Sequence, residues 1–227
     1  MITEIPKLKV ILTGTTGMVG EGALLECLEH PAIEHVLMVN RKPSSRKHPK
    51  LKECIVPDFL DLDGFTIMLT GYDACFYCAG VSSRGMSEAE YSHITYDITI
   101  HFAHTLASLN PQMIFCYVSG SLTDSSEKGR IMWARVKGRT ENALMRFNFR
   151  RVYNFRPGFM QPTPGQKNIK SYYKVIGRLY PLLHMLFPKQ GCTLREVGLA
   201  MIHSVLQGYP KQVLEIKDIQ SLANRSA

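Results

Sequence analysis

KLKVILTGTTGMVGEGALLECLEH, residues 7–30, decides the fold. An apolar strand, KLKVILTG, runs straight into the turn TGTTGMVG, and the turn opens a helix that ends at His30-Pro31. Gly14, Gly17 and Gly20 stand three apart in that turn. Glycine permits the tight bend and lets backbone amides approach a pyrophosphate, whose charge the N-terminus of the following helix stabilises. Gly20 then lets the helix pack closely on the sheet. A glycine triplet alone is a weak signal; a strand before it and a helix after it make it a strong one. Gly14, Thr15, Thr16, Gly17, Met18 and Val19 are therefore expected to cradle the phosphates of a dinucleotide.

The same alternation continues outward to about residue 160. HVLMVN, KECIVPDF, YDACFYCAG, QMIFCYVSG and RRVYNFRPG read as strands. Between them lie helical stretches, including SEAEYSHITYDITIHFAHTLASLN, closed by Asn110-Pro111, and RIMWARVKGRTENALMRF. Short, nearly continuous apolar strands separated by helices predict a parallel sheet covered on both faces. With right-handed crossovers this is a doubly wound α/β (Rossmann) fold. Beyond Pro157 the rhythm breaks: QPTPGQKN is a loop by composition, REVGLAMIHSVLQG an amphipathic helix and KQVLEI a late strand. The expectation is one domain over 1–227, with 159–227 forming a small helical, substrate-side cap. The apolar run Tyr172–Phe187, broken by Pro181, is read as a cover for the cleft or a subunit contact, which leaves a homodimer open.

At 227 residues, 45% hydrophobic and 20% charged, the chain has the composition of one soluble globular domain. No stretch reaches the roughly eighteen consecutive apolar residues of a spanning helix. MITEIPKLKV lacks a basic head followed by an apolar core, so the expected location is cytoplasmic. The six cysteines lie mostly in apolar surroundings and read as reduced, buried thiols. Cys75 and Cys78 form a C-x-x-C on a strand, where positions three apart face opposite sides of the sheet, so no metal or redox pair is expected.

The net charge of +8 is uneven, with Arg41, Lys42, Arg46, Lys47, Lys50 and Lys52 crowded together. Such a cluster suits nucleic acid, an acidic membrane or a small polyanion, and its neighbours favour the last. Binders of NAD usually end the second strand with an acid that grips the ribose 2′-hydroxyl. Here the strand ends in Asn40, Arg41 and Lys42. An arginine pairs with a 2′-phosphate and leaves that hydroxyl without an acceptor. NADP(H) is therefore expected over NAD(H), and no nucleic acid is expected.

TGTTGMVG, Asp58 in VPDF, Cys78-Ala79-Gly80, Val118-Ser-Gly-Ser121, Trp133 to Lys137 and Phe155-Arg-Pro-Gly158 follow one another in the order of a known pattern. Together they resemble the short-chain dehydrogenase/reductase superfamily, in its extended and atypical branch of epimerase-like proteins. NRKP, the Asp-Phe pair, Asp97 and VKGRTE look closest to the atypical group that contains the HIV Tat-interacting oxidoreductase. The resemblance implies that Asp58 contacts the adenine amino group with Phe59 beside it, and that Cys78, Ala79 and Gly80 line the adenosine ribose. It implies that Lys137 holds the nicotinamide ribose and that Pro157 and Gly158 approach the nicotinamide. Ser121 would polarise a substrate carbonyl, with Ser119 as the alternative.

One position departs from that pattern. The superfamily has a tyrosine four residues before the lysine, and this chain has Trp133. An indole N–H donates a hydrogen bond but does not ionise usefully, and losing a positioned general acid costs on the order of 10²–10⁴ in rate. Tyr91, Tyr96 and Tyr117 could each supply a displaced phenol. Three functions follow from the sequence. One is an NADP(H)-dependent oxidoreductase acting on a carbonyl or alcohol of a small molecule. The second is a non-catalytic dinucleotide-binding redox sensor, and the third a nucleotide-sugar epimerase or dehydratase.

Overall fold

The computed structural model describes residues 7–168 and 191–225, so the apolar Tyr172–Phe187 run lies outside the described residues. Seven parallel strands form the central sheet: β1 (Leu8–Thr13), β2 (Ile33–Asn40), β3 (Leu51–Ile55), β4 (Ala74–Tyr77), β5 (Ile114–Val118), β6 (Arg151–Phe155) and β9 (Val213–Leu214). Their spatial order is β3-β2-β1-β4-β5-β6-β9. The order reverses between β1 and β4, and in open α/β sheets ligands bind at that point, beyond the carboxyl ends of the strands. Two further short strands, β7 (Phe159–Gln161) and β8 (Gly191–Thr193), pair in parallel as a separate ribbon that sequence periodicity did not reveal.

Alternation along the strands explains why both faces are covered. Val10 and Leu12 of β1 enter one core layer, and Ile11 enters the other. Phe76 faces the first layer, while Cys75 and Tyr77 face the second. Each fully buried aliphatic or aromatic side chain contributes roughly 1.5–3 kcal/mol. Cys78 packs on the first layer and Cys75 lies in the second, so the C-x-x-C is split across the sheet, and all six cysteines are free.

The first layer is built from α1 (Met18–Glu29), α6 (Leu194–Gln207) and α7 (Ile216–Ala223). Val197, Ala200, Met201 and Ile202 of α6 and Ile219 and Leu222 of α7 are all fully buried in it. The second layer is covered by a helical run: α3 (Glu88–Ser92), a π-turn over His93–Asp97, and α4 (Ile98–Leu109). The short α2 (Thr66–Leu69) precedes that run, and α5 (Met132–Leu144) follows β5. Residues 191–225 thus do more than cap: they add an edge strand and two helices of the main core, and α7 has no counterpart in the sequence expectation. Among the described residues no helix is long and apolar enough to cross a membrane.

Candidate active site

The turn after β1 packs directly against the chain leaving β4. Gly14 has φ +71°, and a Cβ there would lie 2.6 Å from Ala79 N and from Cys78 C and O, all backbone atoms. At Gly20 a Cβ would come within 2.2 Å of Gly14 O. Both positions therefore require glycine for steric reasons. Thr13 Oγ1 accepts from Ala79 N at 3.2 Å and ties the two loops together. Gly17 is the N-cap of α1 and offers no side-chain cap to the first amides, which leaves them for an anion. Thr15, Thr16, Met18 and Val19 complete this mouth. A cradle of this kind fits a dinucleotide pyrophosphate.

At the end of β2, Asn40 is buried. Its Oδ1 accepts from Thr15 Oγ1 at 2.8 Å, and its Nδ2 donates to Glu53 Oε1 at 3.3 Å. Arg41 and Lys42 follow it and are exposed. Arg46 is not free in the same way: it bonds the buried Glu21 carboxylate at 3.0 Å. Glu21 also accepts from the Lys167 and Asn168 amides at 3.0 and 2.8 Å. Gln166 donates to Met18 O at 2.7 Å, so residues 166–168 lie against the phosphate turn. Asp58 is exposed and its Oδ1 accepts from Leu60 N. The Phe59 ring is turned into the core, 5.1 Å from Phe102, so only its backbone is available to a ligand. Cys78 is half-buried and burial raises its thiol pKa, while Gly80 faces open space.

A cleft of about 820 Å³ lies beyond the ends of β4, β5 and β6, beginning at Val81, the residue after Gly80. Ser119, Ser121, Trp133, Lys137, Pro157 and Gly158 all line it. Trp133 and Lys137 are four apart on α5 and so share a helix face. Ser121 sits on a strained bend: the next residue, Leu122, has φ +67° and is 74% exposed. Left-handed backbone at leucine is costly and persists where neighbours enforce it. Here Ser121 N donates to Pro157 O at 2.9 Å, and Thr123 Oγ1 donates to Gly120 O at 2.7 Å.

The two serines have different neighbours. The Ser119 hydroxyl donates to the Glu141 carboxylate and lies 3.1 Å from Phe155 O, so it is committed to the wall of the cleft. Ser121 is the serine left for a ligand. Lys137 Nζ donates to Ser119 O. Burial pulls the Lys137 pKa down to about 8, against the opposing pull of Glu141.

Glu141 and Arg156 are the residues sequence reasoning missed. Glu141 is fully buried; it accepts from Arg156 Nε at 3.0 Å and from Arg156 Nη2. Arg156 also donates to Glu215 Oε1 at 3.2 Å and to Ser125 Oγ. Burial works against the Arg156 charge, but the bonds to Glu141 and Glu215 outweigh it and raise its pKa. The available signal was that Glu141 stands four after Lys137 on the same helix and that Arg156 lies inside the quoted Phe-Arg-Pro-Gly. Asp97 lies outside the cleft, exposed, with its carboxylate 3.2 Å from His93 Nδ1.

The model of the NAD dependent epimerase/dehydratase family matches residues 10–124, about half of the chain. Among individual proteins, the chain is 26% identical to protein fmp52-1, mitochondrial, of Aspergillus terreus, over 68% of this chain and 67% of that one. It is 25% identical to protein HTATIP2 of Rattus norvegicus, over 72% and 69%. The fold is shared with a short chain dehydrogenase from Burkholderia cenocepacia solved with NADP (TM-score 0.65, 15% identity, 97% of this chain and 93% of that one). It is also shared with the Bordetella bronchiseptica enzyme WbmF solved with NAD+ (TM-score 0.65, 13% identity, 98% and 79%). With the glycine cradle at the sheet's reversal and the lysine cleft beside it, the chain belongs to the NAD dependent epimerase/dehydratase family, and its cofactor is a nicotinamide dinucleotide.

Proposed function

We propose that the protein is an NADP(H)-dependent oxidoreductase that interconverts a carbonyl and an alcohol on a small molecule. The observation that carries this reading is the meeting of Ser121, Lys137, Pro157 and Gly158 in one cleft beside the dinucleotide cradle. When bound, the dinucleotide would supply or accept hydride at the nicotinamide. Lys137 would hold its ribose, and the Ser121 hydroxyl would orient the reacting oxygen. Gly14, Thr15, Thr16, Gly17, Met18 and Val19 would bind the phosphates. Cys78, Ala79 and Gly80 would lie along the adenosine ribose, with Asp58 at the adenine.

The preference for the phosphorylated cofactor rests on the end of β2. Its last side chain, Asn40, is already bonded to Thr15 and Glu53, and the exposed Arg41 and Lys42 follow. A charge-assisted hydrogen bond contributes about 1.5–3 kcal/mol, which corresponds to roughly 10- to 150-fold in affinity. Titrating NADPH and NADH against the fluorescence of Trp133, the single tryptophan, tests this. Equal affinities, or a preference unchanged in Arg41→Ala, would remove the argument.

Trp133 supports a second reading. An indole where the superfamily has an ionisable phenol suits a protein that binds the dinucleotide and reports redox state without turning it over. A carbonyl panel assayed with NADPH separates the two: turnover lost in Lys137→Met supports the enzyme, and tight binding with no turnover supports the sensor.

A further inference from the structure

The cleft retains the lysine and a serine but has an indole at the position of the superfamily's acid. Three tyrosines are candidates for a replacement, and the structure separates them. The Tyr117 ring is buried in the core, 6.1 Å from that of Tyr77, and does not line the cleft. The Tyr96 ring carries the Arg139 guanidinium 4.0 Å from its centroid and also lies outside the cleft. Tyr91 lines the cleft together with Ser121, Trp133 and Lys137, and is 1% exposed.

Its helix is fixed in place. Ser87 and Glu90 form a reciprocal capping box that starts α3 one turn before Tyr91. Glu88, on the same short helix, accepts from Arg135 Nη2 at 2.7 Å. Arg135 lies between Trp133 and Lys137 on α5, so this bond ties the helix bearing Tyr91 to the helix bearing the lysine. After Ser92 the helix widens into a π-turn over His93–Asp97, a distortion frequent at functional sites. The Thr95 hydroxyl, one turn on, lies beside the phenol.

We propose that Tyr91 is the proton donor of this cleft, entering from the α3 side in place of a phenol four residues before Lys137. The role rests on the carbonyl-reduction reading above. In the reducing direction the Tyr91 Oη–H bond breaks and an O–H bond forms on the former carbonyl oxygen. The electron pair of the new C–H bond comes from the reduced nicotinamide dinucleotide. The phenolate left on Tyr91 regains its proton from water. An ordinary phenol is protonated at neutral pH, and burial raises the pKa of Tyr91 further. Trp133 then serves as an apolar wall that can still donate one hydrogen bond.

Two readouts test the assignment, one of which needs no turnover. A tyrosinate absorbance titration is run with and without saturating NADP+. The expected result is one phenol whose ionisation moves to lower pH when NADP+ is bound, absent in Tyr91→Phe and retained in Tyr96→Phe. No such phenol, or the same phenol in Tyr91→Phe, overturns the assignment. In the carbonyl assay, Tyr91→Phe should lower kcat by roughly 10²–10⁴, with the NADPH Kd within about twofold of wild type. An active Tyr91→Phe overturns Tyr91 alone and leaves the oxidoreductase reading standing. A wild-type protein that binds NADPH and turns over no carbonyl overturns the reading and the proton step with it.

Discussion

Glu141→Gln is the substitution that most directly tests how the cleft is held. The Glu141 side chain is 0% exposed, and its partner Arg156 is 10% exposed. Removing one member of a buried ion pair costs about 3–5 kcal/mol, because the remaining charge stays desolvated. Here two facts moderate the loss: glutamine keeps one acceptor oxygen, and Arg156 retains Glu215 and Ser125. The low end, about 3 kcal/mol, is therefore expected. For a chain of this size each kcal/mol moves Tm by about 2–4 °C, so Tm should fall by about 6–12 °C. The internal control is Glu215→Gln, which removes the other partner of the same guanidinium. Glu215 is 53% exposed, and an exposed pair is worth about 0.2–1 kcal/mol. Paired calorimetric scans of wild type and both variants at one pH and salt concentration make the comparison. If the two variants lose the same amount, the network is not the buried support described here.

Two other outcomes follow from the same geometry. Asn110 Oδ1 accepts from Gly71 N and Tyr72 N, and its Nδ2 donates to Leu69 O. Asn110→Ala should cost about 2 kcal/mol, since an unsatisfied buried group costs about 1–3 kcal/mol and water reaches some of these; urea denaturation showing a loss below about 0.5 kcal/mol would contradict it. Lys137, at about 8 in the folded chain against an ordinary lysine value of 10.5, makes stability depend on pH. Between those two values the unfolded state binds more protons, so stability rises with pH across that window. Below it both states are protonated and the cost of burying the charge is present in full. Urea denaturation across this window should show a shallower rise in Lys137→Met, and parallel profiles would refute the assignment.

The sheet was legible because strand and helix periods alternate and because the glycine turn sits between a strand and a helix. Gly14, Trp133, Lys137 and Pro157 were legible as members of an ordered set of motifs. Arg156 and Glu141 were less visible, because their pairing joins β6 to α5 and neither residue has a partner in its own motif. The β7–β8 ribbon joins strands about thirty residues apart with three residues each, too short for alternation to register. Tyr91 could be nominated from the sequence, but only its place in the lining of the cleft sets it apart from Tyr96 and Tyr117. The Phe59 ring shows the opposite limit: a motif placed it beside the adenine, and hydrophobic packing against Phe102 turned it inward.

The position of β9 bears on the order in which the protein can assemble. The cradle's own residues, 14–20 and 78–80, belong to the first half of the chain, but α1 behind them packs on α6, where a Cβ at Gly22 would come within 2.8 Å of Leu194. The cleft draws on the same late segment. Ile216 of its lining and Glu215, the outer partner of Arg156, both follow the strand that pairs with β6. Cradle and cleft therefore take their support from one stretch of chain, and neither has its full backing until that stretch has docked on the sheet.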